Sequence, residues 1–253
     1  MPRIEAAAQG VTVEASWLDS YRHMTASPAS DALPLLAPQI LAGPLHAKIL
    51  SDAAMPVGVL GLVHVSNVVQ QHAPVPVHKP LDLRVWVQGS RVARQGAELD
   101  IHTTVHVDGE LVWEGVTTAL ARGPWGDEAA PSAPAEGDVL EAEPQRWDVP
   151  SNVGRQWRRV SGDPNPIHLH KWLARPFGFK AAIAHGTWML ARASGLLGEA
   201  TGPATLTARF RRPVFLPATP EFRVQTNGSK RTFELRDPAR DRRHFEGELI
   251  HNP

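Results

Sequence analysis

The sequence predicts an α+β fold built from two similar halves, each an antiparallel sheet wrapping one long helix. Three observations predict it. The run from Gly123 to Pro144, GPWGDEAAPSAPAEGDVLEAEP, is rich in Pro, Gly, Ala and acids and keeps neither helical nor strand periodicity. It marks a linker over residues 123–145, between halves at 1–122 and 146–253. The order of elements is the same on either side: a short strand, an irregular stretch, a helix candidate, then several strand candidates separated by turns. An ungapped shift of 139 residues lays Pro74-Val75 on Pro213-Val214 and Leu83-Arg84-Val85 on Phe222-Arg223-Val224, a weak internal repeat.

In the first half, Gly10 to Trp17 reads as a strand, and Leu33 to Ser51 carries apolar residues at mixed helical spacing. Pro38, Gly43 and Pro44 weaken that helix. Strand candidates then run to Ala121, with a hairpin turn expected at Asp108-Gly109. In the second half, Arg146 to Val160 leads into an irregular segment, and Ala181 to Gly198 is the stronger helix. Strands follow at Ala204 to Phe215, Glu221 to Thr226, Thr232 to Leu235 and His244 to Ile250, with a turn at Asn227-Gly228.

Composition narrows the function. The 253 residues are enough for one large domain or for two lobes of roughly 100 to 130 residues each. Lys plus Arg balances Asp plus Glu at 26 each, so no strong field recruits nucleic acid or an anionic membrane. There is no cysteine, which removes disulfides, thiolate nucleophiles and Cys-rich metal sites and fits an intracellular protein. Met1 to Val11 lacks a basic stretch followed by an apolar core, and no apolar run approaches the ~20 residues that span a bilayer. A soluble, cytoplasmic protein is expected.

The chemistry concentrates in Arg159 to Ala174, RVSGDPNPIHLHKWLA. Asp163 precedes Pro164 and Asn165 precedes Pro166, so both are pushed toward extended geometry and the loop is stiff. Asn165 suits an N-cap and Pro166 a first helical position, which places His168 in the first turn of a short helix ending before Pro176 and Gly178. The positive end of that helix disfavours imidazolium, leaving a neutral base a few rigid residues from a carboxylate. The competing reading is plain: Asp163 caps a turn and His168 is an ordinary side chain. His168 and His170 suggest a metal only superficially, because two residues apart on a helix they point about 200° away from each other, and no metal is expected.

SGDPNPIH, followed by five residues and Ala174, resembles the signature of the MaoC-like hydratase/dehydratase family, which includes the (R)-specific enoyl-CoA hydratases and the hydratase 2 unit of peroxisomal multifunctional enzymes. The similarity continues through Gly178-Phe179, Ile183 to Gly186, Ser194 to Gly198 and FRRPVFLP from Phe210 to Pro217. The family usually has Tyr or Phe shortly before the motif, where this chain has Trp157, without a phenolic hydroxyl. The resemblance implies a double hot-dog fold: a catalytic second lobe, and a degenerate first lobe that makes room for an acyl chain. The first half has no second D-x-N-P-x-H, and Asp19 and His23, where a remnant would fall, are read as non-catalytic.

The activity so implied is hydration of a trans-2-enoyl thioester to the (3R)-hydroxyacyl thioester, or the reverse dehydration. Asp163 and His168 would act as the acid/base pair on one water. No cofactor is implied. The substrate is an acyl thioester of coenzyme A or acyl carrier protein, and a homodimer is left open. Asn165 would orient the pair or the water, with capping as its rival role. The backbone N–H of Gly186, near the start of the second helix, is the expected oxyanion donor. Ser194, two turns on, would help bind the thioester region or order the site, against a packing role; His185 is read as structural. Lys180, Arg209, Arg211 and Arg212 are candidates for coenzyme A phosphates, each against a solvated surface role. The eight tryptophans are scattered and read as core rather than as tunnel lining. Two other classes compete: a non-catalytic acyl-thioester binding module and a hot-dog thioesterase.

Overall fold

The computed structural model describes residues 4–252 apart from 56, 59–61, 125, 133 and 199. Its first half opens with β1 (Glu5–Val11), α1 (Ala15–Thr25), α2 (Ala37–Leu41) and α3 (Gly43–Leu50), then β2 (Val63–Gln71), β3 (Leu81–Ala93), β4 (Gly96–Val107) and β5 (Glu110–Arg122). The second half has β6 (Gln145–Arg146), α4 (Val153–Ser161), α5 (Lys171–Ala174), α6 (Gly186–Leu197), β7 (Ala204–Phe210), β8 (Glu221–Asn227), β9 (Lys230–Asp237) and β10 (Arg242–His251).

The strands form one ten-stranded antiparallel sheet, in the order β1-β3-β4-β5-β2-β7-β10-β9-β8-β6. Counted from either outer edge toward the middle, corresponding strands follow the same order. The two sheets read from the sequence are the two ends of this continuous sheet, joined where β2 pairs β7, with Val69 opposite Leu206 and both fully buried. The weak repeat falls on equivalent places: Leu83-Arg84-Val85 lies in β3 and Phe222-Arg223-Val224 in β8, and Val75 and Val214 are both buried completely.

Strand alternation supplies the inner face. Leu81, Leu83 and Val85 of β3 and Leu99, Ile101, Thr103 and Val105 of β4 are buried at every second position. α6 is buried around most of its circumference, through Trp188, Met189, Leu190, Ala191, Ala193 and Leu197, as expected of a helix enclosed by a sheet. Indole Nε1 of Trp188 donates to Met24 O of α1 at 3.0 Å, so helices of the two halves meet.

Several expectations need correction: the strand expected at Ala204 to Phe215 ends at Phe210, and the helix expected at Ala181 to Gly198 begins at Gly186. The segment Leu33 to Ser51 is not one helix: it breaks at Ala42, and each piece has a proline in its first turn. A proline lacks the N–H that an interior position must donate, so Pro38 and Pro44 each fit only where a helix begins. The strand read at Gly10 to Trp17 instead ends at Val11, and Ala15 to Trp17 opens α1, whose buried Leu18, Tyr21 and Thr25 follow helical spacing. Alanine-rich β1 has weak strand propensity and owes its conformation to pairing with β3.

The linker region is held against the second half. Arg211 donates to Pro134 O and to Ala135 O at 3.3 Å, Arg243 donates to Gly137 O at 3.1 Å and to Asp138 O at 2.8 Å, and Arg223 donates to Ala142 O at 2.9 Å. Leu140 N donates to Glu234 Oε1 at 3.0 Å, and Glu234 is itself paired with Arg243 at 2.6 Å.

Candidate active site

α4 ends at Ser161 because Gly162 turns into the left-handed region, φ 69°, and returns its N–H to Arg158 O at 2.8 Å. The chain then enters the proline-braced bend. Asp163 Oδ1 accepts from Asn165 N at 2.8 Å, and Asn165 Oδ1 caps the next turn by accepting from Ile167 N at 3.4 Å. Asn165 Nδ2 also donates to Leu62 O of the first half at 3.5 Å. The capping role of Asn165 is therefore visible, together with a tie between halves.

The expected short helix is a series of three brief turns: a 3-10 turn at Pro166–His168, α5, and a second 3-10 turn at Arg175–Phe177. His168 is the last residue of a three-residue turn, so a helix dipole does not explain its neutrality. Burial does. The residue is 8% exposed, and desolvation lowers its pKa more than the Asp163 charge and the Ile183 bond raise it. Nδ1 lies 2.9 Å from Ile183 O, which makes Nδ1 the protonated nitrogen and leaves the Nε2 lone pair free to act as base. Gly154 of α4 lies beneath this turn: a Cβ there would meet His168 O at 1.9 Å, so only glycine allows the approach.

His185 joins this pair. Its ring stacks on His168 with centroids 3.7 Å apart, and its Nε2 is 3.7 Å from Asp163 Oδ2. Burial, then the neighbouring His168, holds its pKa well below the ordinary imidazole value, so the contact with Asp163 is not an ion pair at neutral pH. Both His185 nitrogens are buried without a hydrogen-bond partner among the described residues.

Asp163, His168 and His185 each offer a ligand atom within 4.8 Å of the others. Stacking opposes a shared ion, because imidazole lone pairs lie in the ring planes and an ion between two stacked rings would sit far out of both. A water fits better: bonded to a carboxylate oxygen and to an imidazole nitrogen at about 2.8 Å each, it spans such a gap. His170 is exposed and caps α5, and it is not part of the Asp163, His168 and His185 cluster.

These groups open into a cavity of about 490 Å³. Asp163, Asn165, His168, His185 and Gly186 line it from the second half, and Gln39, His46, His64 and Thr117 from the first. Gly186 is the first residue of α6, where helix amides lack partners within the helix and favour developing negative charge. His64 of β2 stands directly against it: its Nδ1 is 2.9 Å from where a Gly186 Cβ would be.

The remaining candidates are placed less favourably. Ser194 is 6% exposed in α6 and lies outside the cavity lining. Arg209 and Lys180 are also outside it, and Lys180 Nζ sits 4.6 Å over the Phe215 ring. Arg211 and Arg212 reach the cavity, but Arg211 is paired with Glu246 and Arg212 with Glu136. Trp157 is fully buried and donates through Nε1 to Thr187 Oγ1 at 3.1 Å, making it a packing residue between α4 and α6. Asp19 and His23 are exposed on α1, away from the cavity lining.

His46 and His64 were not apparent as site residues in the sequence. Both come from the first half, far from the motif in chain order. The one available signal is that each interrupts an otherwise apolar stretch.

A continuous sheet around buried helices defines a hot-dog protein, and here a carboxylate and a neutral imidazole line one cavity. Residues 135–246 match the family model described as MaoC like domain. Over 249 residues, 97% of this chain and 88% of the relative, the chain is 27% identical to 3-hydroxyacyl-thioester dehydratase X of Mycobacterium tuberculosis. The crystal structure of HtdX from the same organism superposes with a TM-score of 0.84 at 25% identity, covering 98% of this chain and 100% of that one. A MaoC-like dehydratase from Phytophthora capsici superposes with a TM-score of 0.76 at 20% identity, covering 99% and 95% of the two chains, which speaks for the fold alone. The family match falls on the part of the chain that holds Asp163, His168, His185 and Gly186.

Proposed function

We propose that the protein adds water across the double bond of a trans-2-enoyl thioester to give the (3R)-hydroxyacyl thioester, or removes it in reverse. The observation that supports this reading is that Asp163 and His168 line one cavity and carry ligand atoms within 4.8 Å of each other, a gap that one water can bridge, with His168 Nδ1 already engaged by Ile183 O. In hydration His168 Nε2 takes a proton from the water as hydroxide character develops toward C3, and a protonated group of the pair delivers a proton to C2. Negative charge gathers on the thioester oxygen meanwhile, and the Gly186 amide at the head of α6 is the donor for it. The named relative is a dehydratase of 3-hydroxyacyl thioesters, which agrees with this direction-neutral chemistry. The acyl chain extends into the first-half part of the cavity, past Ile40, Ala47 and Ile101.

Crotonyl-CoA tests the reading. Hydration removes the enoyl absorbance without releasing free thiol and yields the (3R) product on chiral analysis. Thiol release would make the protein a thioesterase, and binding without either change would make it a non-catalytic module.

A further inference from the structure

Beyond the catalytic end, the cavity wall is not hydrocarbon alone. Gln39 of α2, Thr117 of β5, His46 of α3 and His64 of β2 line it, and Asn67 of β2 lies behind them, 1% exposed. Asn67 Nδ2 donates to Gln39 Oε1 at 2.8 Å and to Thr117 Oγ1 at 3.1 Å, and Gln39 Nε2 donates to Thr117 Oγ1 at 3.0 Å. His64 Nε2 is 3.5 Å from Asn67 Nδ2, and His46 Nε2 is 2.8 Å from Thr103 Oγ1. A sleeve for a plain alkyl chain gains nothing from such groups, since each buried polar group costs free energy unless it is bonded.

The cluster also has hydrogens to spare. Each amide carries two N–H donors and Thr117 one O–H. Thr117 Oγ1 already accepts from both amides, so its own hydrogen and the second hydrogen of Gln39 Nε2 have no acceptor among the described residues. Turning both amides over leaves still more donors unspent. Gln39 and Thr117 both face the cavity. The cluster contains no charged side chain, and burial holds His46 and His64 at a pKa of about 4, so both rings are neutral near pH 7. Arg122, a charged group of this wall, lies over the Phe179 ring at 5.3 Å and makes none of the cluster's bonds.

We propose that Gln39, Thr117 and their neighbours form a second recognition point, which receives a neutral oxygen, a hydroxyl or keto group, carried on the acyl chain beyond the double bond. This rests on the reading that the acyl chain enters the first half. A substrate oxygen accepts the spare hydrogens, and an unsubstituted chain leaves them desolvated. Sites that bond a substrate oxygen discriminate strongly against analogues lacking it.

The test uses trans-2-enoyl-CoA esters of one chain length, unsubstituted or bearing a hydroxyl or keto group at successive carbons beyond the double bond. Wild type, Gln39→Met and the near-isosteric Thr117→Val are compared. The wild type should favour one oxygenated position over the plain chain by about tenfold or more in kcat/KM, and the variants should lose that preference. In parallel, calorimetry on Asp163→Asn protein measures binding of the matching saturated acyl-CoA esters and of coenzyme A alone. A wild type that binds and turns over the plain chain best overturns the inference, as do variants that weaken all esters alike or weaken coenzyme A itself, which would assign the cluster to the pantetheine arm. If no ester is hydrated the proposed reaction fails, and the calorimetric preference then decides the inference by itself.

Discussion

The role proposed for His168 rests on its two nitrogens: Nδ1–H is spent on Ile183 O, which leaves Nε2 as the nitrogen able to accept a proton in a residue that lines the cavity. Burial lowers its pKa and outweighs the opposing pull of Asp163, so the ring stays unprotonated below the ordinary imidazole value of about 6.5. The acid limb of the kcat/KM profile should therefore fall below pH ~6.5; a midpoint at or above that value would contradict a buried neutral base. At this scale the motif was legible in the sequence, because Pro164, Asn165 and Pro166 constrain neighbours in the chain. The companions His64 and His185 were not, since what makes them site residues is a contact across the sheet and a ring stacked by the fold. The ion pairs of Arg211 and Arg212 were hidden for the same reason: the carboxylates that meet them lie far along the chain.

Among the elements, α4 and the turn holding His168 are fitted at Gly154, where a Cβ would overlap His168 O. Gly154→Ala should lower thermal stability and activity together, measured by melting temperature and turnover on the same preparation; an unchanged enzyme would show that the turn can retreat without cost. The strap over residues 134–142 depends on Arg243, 2% exposed and paired with Glu234, 1% exposed. Arg243→Ala leaves the buried Glu234 carboxylate with Arg236 at 3.3 Å as its remaining cation and should cost about 1.5–3 kcal/mol in a urea titration, with proteolytic cleavage appearing first within 134–142. Stability within about 0.5 kcal/mol of wild type would mean the pair is incidental. The sequence marked this segment as a linker from its composition, which reports missing periodicity. Composition is silent about backbone carbonyls bonded by distant arginines. The broken helix α2–α3 was foreshadowed better, because Pro38, Gly43 and Pro44 act locally.

Across the whole molecule, the duplication was visible in the sequence as a repeated order of elements and as short matches at a fixed shift. The joining of the two ends into one sheet was not visible, because β2 and β7 carry no label for each other beyond being strands with apolar faces. The buried histidines give the folded chain a characteristic acid response. His46 and His64 titrate near 4 when folded and near 6.5 when unfolded. Between those values the unfolded chain binds more protons, so stability is full above about 6.5 and declines as the pH falls toward 4. The urea midpoint should be lower at pH 5 than at pH 7, and an equal or higher midpoint at pH 5 would contradict the burial of these rings. No described helix is long and apolar enough to cross a membrane. The central claim concerns what the assembled cavity does with one water, and the most direct measurement is kcat/KM for trans-2-enoyl-CoA hydration by wild type, Asp163→Asn and His168→Ala, each checked for an intact fold. Loss of about 10²-fold or more in each variant is predicted; two folded variants that retain full activity would show that the chemistry lies elsewhere.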